Sequence, residues 1–348
     1  MELTRERLLS LLQELLVTHS PVGDEGELDA VLAPYFERCC DETRVISGET
    51  LVGRVAGLGL APAIQVLAHK DEISTIVKRI DADGVLHLDS LGGVYAWKYG
   101  EGPVEILGDR QTVPGILGVG SAHTTAESQA VFQAKQQPLE WPMVHVTTRL
   151  TAGQLAERGV HIGSRVVVHR DRKRPFLIAD CVAGYALDDK AALAVMVAAM
   201  EAMAAGRRPR GDVYFVATVG EEMLSGSASF VAERLPAETL LALEVGPVAE
   251  EYSVYNNHQP VVWYKDRVGT YTKSICDELV RLADDLGFGA QPAVYSNAAT
   301  DASTARQHGQ VGRIACLGFP AENTHGYELA CLEGIENLYH LLMAWLCG

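Results

Sequence analysis

Four short runs, at residues 63–68, 213–219, 240–245 and 313–317, are apolar almost without interruption. Successive side chains of a strand point to opposite faces, so a strand apolar at every position must be covered above and below. The cover is present in the sequence. Residues 191–205, 227–234, 271–286 and 332–346 read as helices. Buried strands alternating with helices predict an α/β domain whose central sheet is covered on both faces. Residues 76–176 are built differently. Short strand candidates at 74–80, 85–88, 104–106, 144–146 and 166–169 are punctuated by Asp83-Gly84, Gly92-Gly93, Val113-Pro114-Gly115 and Gly163-Ser164, which read as turns. The expected architecture is an α/β domain of residues 1–75 and 177–348, interrupted at 76–176 by a small all-β barrel or sandwich.

A chain of 348 residues can bury a core of that size. Its 29 basic and 45 acidic residues leave a net charge of −16, a field that repels phosphate backbones and anionic membrane surfaces. Neither nucleic acid nor a membrane is an expected partner, and no apolar run is long enough to span a bilayer. Residues 1–16 read as an amphipathic helix. Leu8, Leu9, Leu12, Leu15 and Leu16 fall at helical spacing among Arg5, Glu6, Arg7 and Glu14, a pattern too charged for a secretory signal. The seven cysteines show no Cys-x-x-Cys spacing and read as reduced, mostly buried thiols of a cytoplasmic protein.

The ionisable residues collect where the buried strands end. His69-Lys70-Asp71-Glu72 follows the first run, and strand alternation puts His69 and Asp71 on one face with Lys70 on the other. A histidine with a carboxylate two residues on is the spacing of a metal ligand steadied by an acidic neighbour; taken alone, it is also an ordinary strand-end pair. Asp188-Asp189 precedes an Ala-rich helix and suits either an acidic cap or a carboxylate shared by two cations. Glu221-Glu222 ends the second run. Two like charges side by side are costly there unless cations or protons compensate, or unless the pair sits in a wet loop. Read functionally, one glutamate holds a metal and the other accepts a proton from water. Glu244 is a single carboxylate within an apolar run, and His325 lies in a loop after the fourth. Two histidines and several carboxylates with no cysteine pattern suit a pair of zinc or similar ions sharing one carboxylate.

In their order along the chain these segments, together with Thr300-Asp301-Ala302 and Thr324-His325-Gly326-Tyr327-Glu328, resemble the glutamyl and deblocking aminopeptidase family. This is the tetrahedral-aminopeptidase type of dinuclear zinc exopeptidase. The resemblance runs nearly end to end and includes Val113-Pro114-Gly115-Ile116-Leu117-Gly118 with His123 downstream. It implies a mixed central sheet flanked by helices, with the insertion forming a barrel that dimerises. It also implies homo-oligomers up to dodecamers, peptide substrates, and two divalent ions per chain, zinc with cobalt or manganese as alternatives. His69 and Glu244 would ligate one ion, Glu222 and His325 the other, and Asp188 would bridge them. Glu221 would serve as general base and acid, Asp71 would orient His69, and the Asp188–Asp189 peptide would be cis.

The chain departs from the family pattern at several places. Lys70 stands where relatives often carry an apolar residue, Ser74 and Lys190 where Gly and Arg are common, and Gly326 where Ser is more usual. The segment Leu51-Val52-Gly53-Arg54 lacks the family's Gly-Asn. In the wider group a glutamate at the place of Glu244 accompanies carboxypeptidases and deacylases. An N-acyl amino acid deacylase or carboxypeptidase on the same scaffold is therefore the alternative. A glycosidase using Glu221 and Glu222 is physically poor, because such carboxyls flank the bond about 5 Å or more apart. Asp301 reads as a helix N-cap or as a residue near the site.

Overall fold

The computed structural model describes residues 3–47, 49–224 and 226–348. Met1 and Glu2, the start of the expected N-terminal helix, lie outside the described residues. Helices α1 (Arg5–Val17) and α2 (Gly26–Cys39) turn Leu8, Leu12, Leu15, Leu28, Leu32 and Phe36 onto the core. Thr4 caps α1 by accepting the Arg7 amide. Three strands follow, β1 (Glu42–Ile46), β2 (Thr50–Val55) and β3 (Ile64–His69).

The chain then builds a closed barrel. Its strands are β4 (Ser74–Ile80), β5 (Leu86–Leu91), β6 (Gly102–Leu107), β7 (Thr112–Gly118), β8 (His145–Thr147) and β9 (Arg165–Val168), closed in the order β4-β5-β8-β7-β6-β9. Helices α3 (Ala96–Tyr99), α4 (Gln129–Ala134) and α5 (Ala152–Glu157) occupy its connections. Val77, Leu86, Val104, Ile106, Leu117, Val146 and Val166 fill the interior. The structure corrects one turn assignment, since Val113-Pro114-Gly115 lies within β7. Pro114 pairs with Glu105 of β6 on one side, while β8 meets β7 only at Ile116, Leu117 and Gly118. The other edge of β7 is open at Pro114, where a missing N–H costs no ladder bond.

Beyond the barrel run β10 (Phe176–Ile178), β11 (Cys181–Gly184), α6 (Leu187–Ala204), β12 (Val213–Thr218), α7 (Ala228–Ala232) and β13 (Thr239–Val248). They are followed by β14 (Val261–Lys265), α8 (Lys273–Asp285), β15 (Gln291–Val294), α9 (Asp301–Gln307), β16 (Arg313–Glu322), β17 (Glu328–Cys331) and α10 (Leu332–Cys347). The large sheet has the order β1-β2-β12-β3-β13-β16-β17-β11-β10, with β14 and β15 branching from β16. Its middle, β12-β3-β13-β16, is parallel and its flanks are antiparallel, so the sheet is mixed as expected. Strands β13 and β16 outrun their apolar segments because they pair with each other from Thr239↔Arg313 to Val248↔Glu322.

Helix α6 has scarcely a wet face: every residue from Leu187 to Met200 is buried. A helix apolar all round belongs inside a protein. It packs against α1, α2, α10 and strands β3 and β13, and so fixes where its first turn meets the sheet. All seven cysteines are free, and no described helix is long and apolar enough to cross a membrane. Leu193, fully buried midway along α6, is the position to test this packing. Leu193→Ala is expected to lower stability by about 2–5 kcal/mol in equilibrium chemical denaturation.

Candidate metal centre

Parallel strands deliver side chains to a common edge at their C-terminal ends, where open α/β sheets place their ligand sites. His69 is the last residue of β3, and its register partner on β12 is Thr218. After Thr218 the chain turns through Gly220, in the left-handed region at φ 75°, into a single 3-10 turn that carries Glu221 and Glu222. Glu244 sits on β13 beyond Ala242, the last residue of β13 to pair with β3. It therefore projects past the end of its neighbour. Asp188 lies in the first turn of α6, after Ala186 at φ 61°, and the Asp188–Asp189 peptide is cis, as the resemblance implies. His325 lies between β16 and β17 at φ 59°.

These five side chains converge. Nε2 of His69 lies 3.1 Å from Oδ1 of Asp188 and 3.8 Å from Glu244. Nε2 of His325 lies 3.5 Å from Oδ2 of Asp188 and 3.7 Å from Glu222. Asp188 thus shows one oxygen to each imidazole. The opposite nitrogens are held by carbonyls: Nδ1 of His69 donates to Asp71 O at 2.9 Å, and Nδ1 of His325 to Gly93 O at 3.0 Å. A proton on each Nδ1 leaves the Nε2 lone pairs aimed at the centre. Asp71 meets His69 through its carbonyl. Its carboxylate, 3.7 Å from the ring, accepts the amides of Glu221 and Glu222 at 3.2 and 3.0 Å. That pair of bonds clamps the two-glutamate turn to the end of β3.

Crowding governs the electrostatics. Burial, reinforced by Asp188 and opposed by His325, raises Glu222 to about 7. Burial and neighbouring carboxylates push Glu221 and Glu244 well above the usual range. Asp188 goes the other way: burial would raise it, but the His325 and His69 rings, which with no cation present are held in the protonated form and donate from Nε2, keep it far below. Oε1 of Glu222 and Oδ1 of Asp189 are buried without a hydrogen-bond partner. Unpaired buried carboxylate oxygens are costly, and a divalent cation is the compensation this donor set fits. Three overlapping groups, His69-Asp188-Glu222, His69-Glu221-Glu244 and Asp188-Asp189-Glu244, bring ligand atoms within 4.8 Å of one another. These residues could hold a metal ion. They open onto a cavity of about 500 Å³ whose walls include Tyr95, Trp97, Lys98, Trp263 and Arg267.

Sequence reasoning missed three contributors. The buried Glu328 accepts the Asp188 amide with one oxygen and the His325 amide with the other, both at 3.1 Å. Asp189 accepts the His69 amide at 3.2 Å. Gly93 belongs to the barrel, and no spacing in the chain connects it with His325. A Cβ at Gly93 would meet that ring at 3.2 Å. Asp301 is not the helix cap, because Thr300 and Ser303 form the capping box of α9. The Asp301 carboxylate is buried and accepts the Thr218 hydroxyl. Lys70 points away from the centre, to Asp29 and to Glu49 O at 2.6 Å.

The sequence matches the family of M42 glutamyl aminopeptidases over residues 50–341. It is 24% identical over 310 residues to the lysyl aminopeptidase of Pyrococcus furiosus, covering 83% of this chain and 82% of that protein. The fold is similar to the TET aminopeptidase of a marine-sediment thaumarchaeote, with a TM-score of 0.88 at 22% identity over 98% of this chain and 96% of that one. It is also similar to the TET1 peptidase of Pyrococcus horikoshii, with a TM-score of 0.85 at 20% identity over 97% and 99%; that protein assembles into a tetrahedron or a large octahedral shell.

The carbonyl of Gly93 gives a direct test of the centre. Gly93→Ala would press on the His325 ring, and is expected to weaken zinc binding by about tenfold, the low end for disturbing a ligand's support. Competitive titration of the metal-stripped protein against a chromophoric chelator measures it.

Proposed function

The chain belongs to the M42 glutamyl aminopeptidase family and is a peptide hydrolase, and from that premise we propose that it is a metal-dependent aminopeptidase with a dinuclear centre. The observation that carries the reading is Asp188, whose two oxygens face two separate imidazoles. His69 and Glu244 would hold one divalent ion and Glu222 and His325 a second, with Asp188 shared. Zinc suits the two nitrogens and three carboxylates, and cobalt or manganese would also be accepted. When bound, the ions would acidify a water and polarise the scissile carbonyl.

The remaining chemistry belongs to side chains. Glu221 faces the cavity from the turn that Asp71 clamps. Its carboxylate accepts the proton of the attacking water and returns it to the leaving nitrogen. A base with raised proton affinity is suited to that exchange near neutral pH. Asp189 and Glu328 hold backbone amides of ligand-bearing residues, so the ligands need little adjustment on binding. The barrel of residues 76–176 serves as the dimerisation domain in this reading, with larger shells built from dimers. The assembly of the P. horikoshii protein into a tetrahedron or an octahedral shell supports a homo-oligomer, and the barrel's part in it follows from the family resemblance.

A second reading has an observation in its favour. Lys98 and Arg267 line the cavity, and two cations suit a substrate with a free carboxylate close to the scissile bond. That would be a carboxypeptidase or an N-acyl amino acid deacylase. A panel of aminoacyl, acyl and C-terminal model substrates separates the readings, and the aminopeptidase is expected to cleave only those with a free N-terminal amine.

Glu221→Gln tests the mechanism. The variant is expected to retain about two metals per chain by elemental analysis, the number the chemistry asks for. Its hydrolysis is expected to fall by roughly a hundredfold or more, as loss of a general base implies. Full turnover in the variant removes Glu221 from the reaction.

A further inference from the structure

Both connections between the barrel and the α/β domain pass through one buried cluster of charge. Glu72 stands two residues before β4, where the chain crosses into the barrel, and Lys173 lies between β9 and β10, where it returns. Both are sealed from solvent. The Lys173 ammonium donates to Glu72 and, at 2.9 Å, to Nδ1 of His19. His19 is fully buried and hydrogen-bonds Glu105 of β6 through Nε2. An imidazole that accepts at Nδ1 and donates at Nε2 is neutral. The second oxygen of Glu72 takes Lys190 Nζ at 2.6 Å, and Lys190 also donates to Thr18 O at 2.6 Å. The contacts run in sequence from Glu105 through His19, Lys173 and Glu72 to Lys190, from the barrel wall to the first turn of α6.

Stability alone gives little reason for this arrangement. Burying two ammoniums and a carboxylate is expensive, and apolar replacements of such clusters are often neutral or stabilising. Burial raises Glu72, yet the two lysines bring it down to about 2, so it stays ionised. The ends of the chain of contacts explain more. Glu72 directly follows Asp71, whose carboxylate holds the Glu221 and Glu222 amides, and Lys190 is the second residue after Asp188. At the other end, Arg170 reaches Glu105 at 3.4 Å and His169 approaches it at 3.8 Å, so the barrel side is fixed as well. None of the five residues lines the substrate cavity.

We propose that Glu105, His19, Lys173, Glu72 and Lys190 form a positioning chain through which the seating of the barrel sets the geometry of the metal centre. Glu105 and His19 register where the barrel sits, and Glu72 and Lys190 transmit that position to Asp71 and Asp188. The five are positioning residues; they touch neither substrate nor metal. The inference rests on the metal-centre reading above.

Glu105→Ala cuts the chain at its barrel end, about as far from the centre as the contacts reach. It is expected to lower kcat about tenfold with KM within about twofold, and to weaken zinc binding by the stripped protein about tenfold, the scale of losing a ligand's support. Glu105→Gln keeps an acceptor for His19 and is expected to restore most of both losses. Val104→Ala, a neighbouring position facing the barrel interior, serves as the control. It is expected to lower the melting temperature while leaving kcat and zinc affinity unchanged. Should Glu105→Ala behave like this control, losing only thermal stability, the positioning chain is refuted while the metal centre stands. A wild-type protein that takes up no zinc refutes both.

Discussion

Asp188, Asp189, Glu221, Glu222 and Glu244 share one buried space, and His69 and His325 lie among them to offset the charge. Five carboxylates at such spacing repel one another strongly in a medium that screens poorly. Burial and mutual repulsion push Glu221, Glu222 and Glu244 towards their protonated forms, while Asp188, between the two imidazoles, is held low. Much of the surrounding architecture answers to that repulsion. The parallel strands β3, β12 and β13 set the spacing, and backbone groups of Asp71 and Gly93 turn the imidazoles inward. The carboxylates of Asp71 and Glu328 engage amides of Glu221, Glu222, Asp188 and His325. Asp188, Glu221 and Glu222 are thus each held through their amides by a second acid, Glu328 or Asp71.

The barrel takes part in this bracing. Its loop supplies the Gly93 carbonyl to His325, and its wall supplies Glu105 to the buried charges that end at Lys190. The insertion therefore meets the site directly at Gly93, and through the buried charges it is joined to Lys190, two residues after Asp188. Tyr95, Trp97 and Lys98 also form part of the cavity wall. The hold on His325 and the shape of the cavity thus both depend on the barrel.

Much of this could be read in the sequence for a definite reason. Apolar strands that each end in an ionisable residue leave few placements for that charge, so His69, Glu221, Glu222 and Glu244 were visible as strand-end groups. Asp188 was visible before an unusually apolar helix, and His325 only through the order of motifs. The rest was hidden because its signal is not local. Glu328 starts a short strand like many others, and its role appears only when β17 pairs with β11 near Asp188. Gly93 and His325 are 232 positions apart, joined by one carbonyl. Strands β1 and β15 lie off the parallel middle of the sheet and lack its continuous apolar runs. The β7 segment reads as a turn because a Pro-Gly pair signals one unless, as here, an open edge excuses the proline.

The central claim is that Asp188 sits between two cations. Anomalous scattering from crystals of the zinc-loaded protein, measured on both sides of the zinc absorption edge, tests it most directly. Two peaks are expected, one beside Nε2 of His69 and one beside Nε2 of His325, with an oxygen of Asp188 against each. A single peak, or zinc bound only elsewhere on the surface, would contradict it.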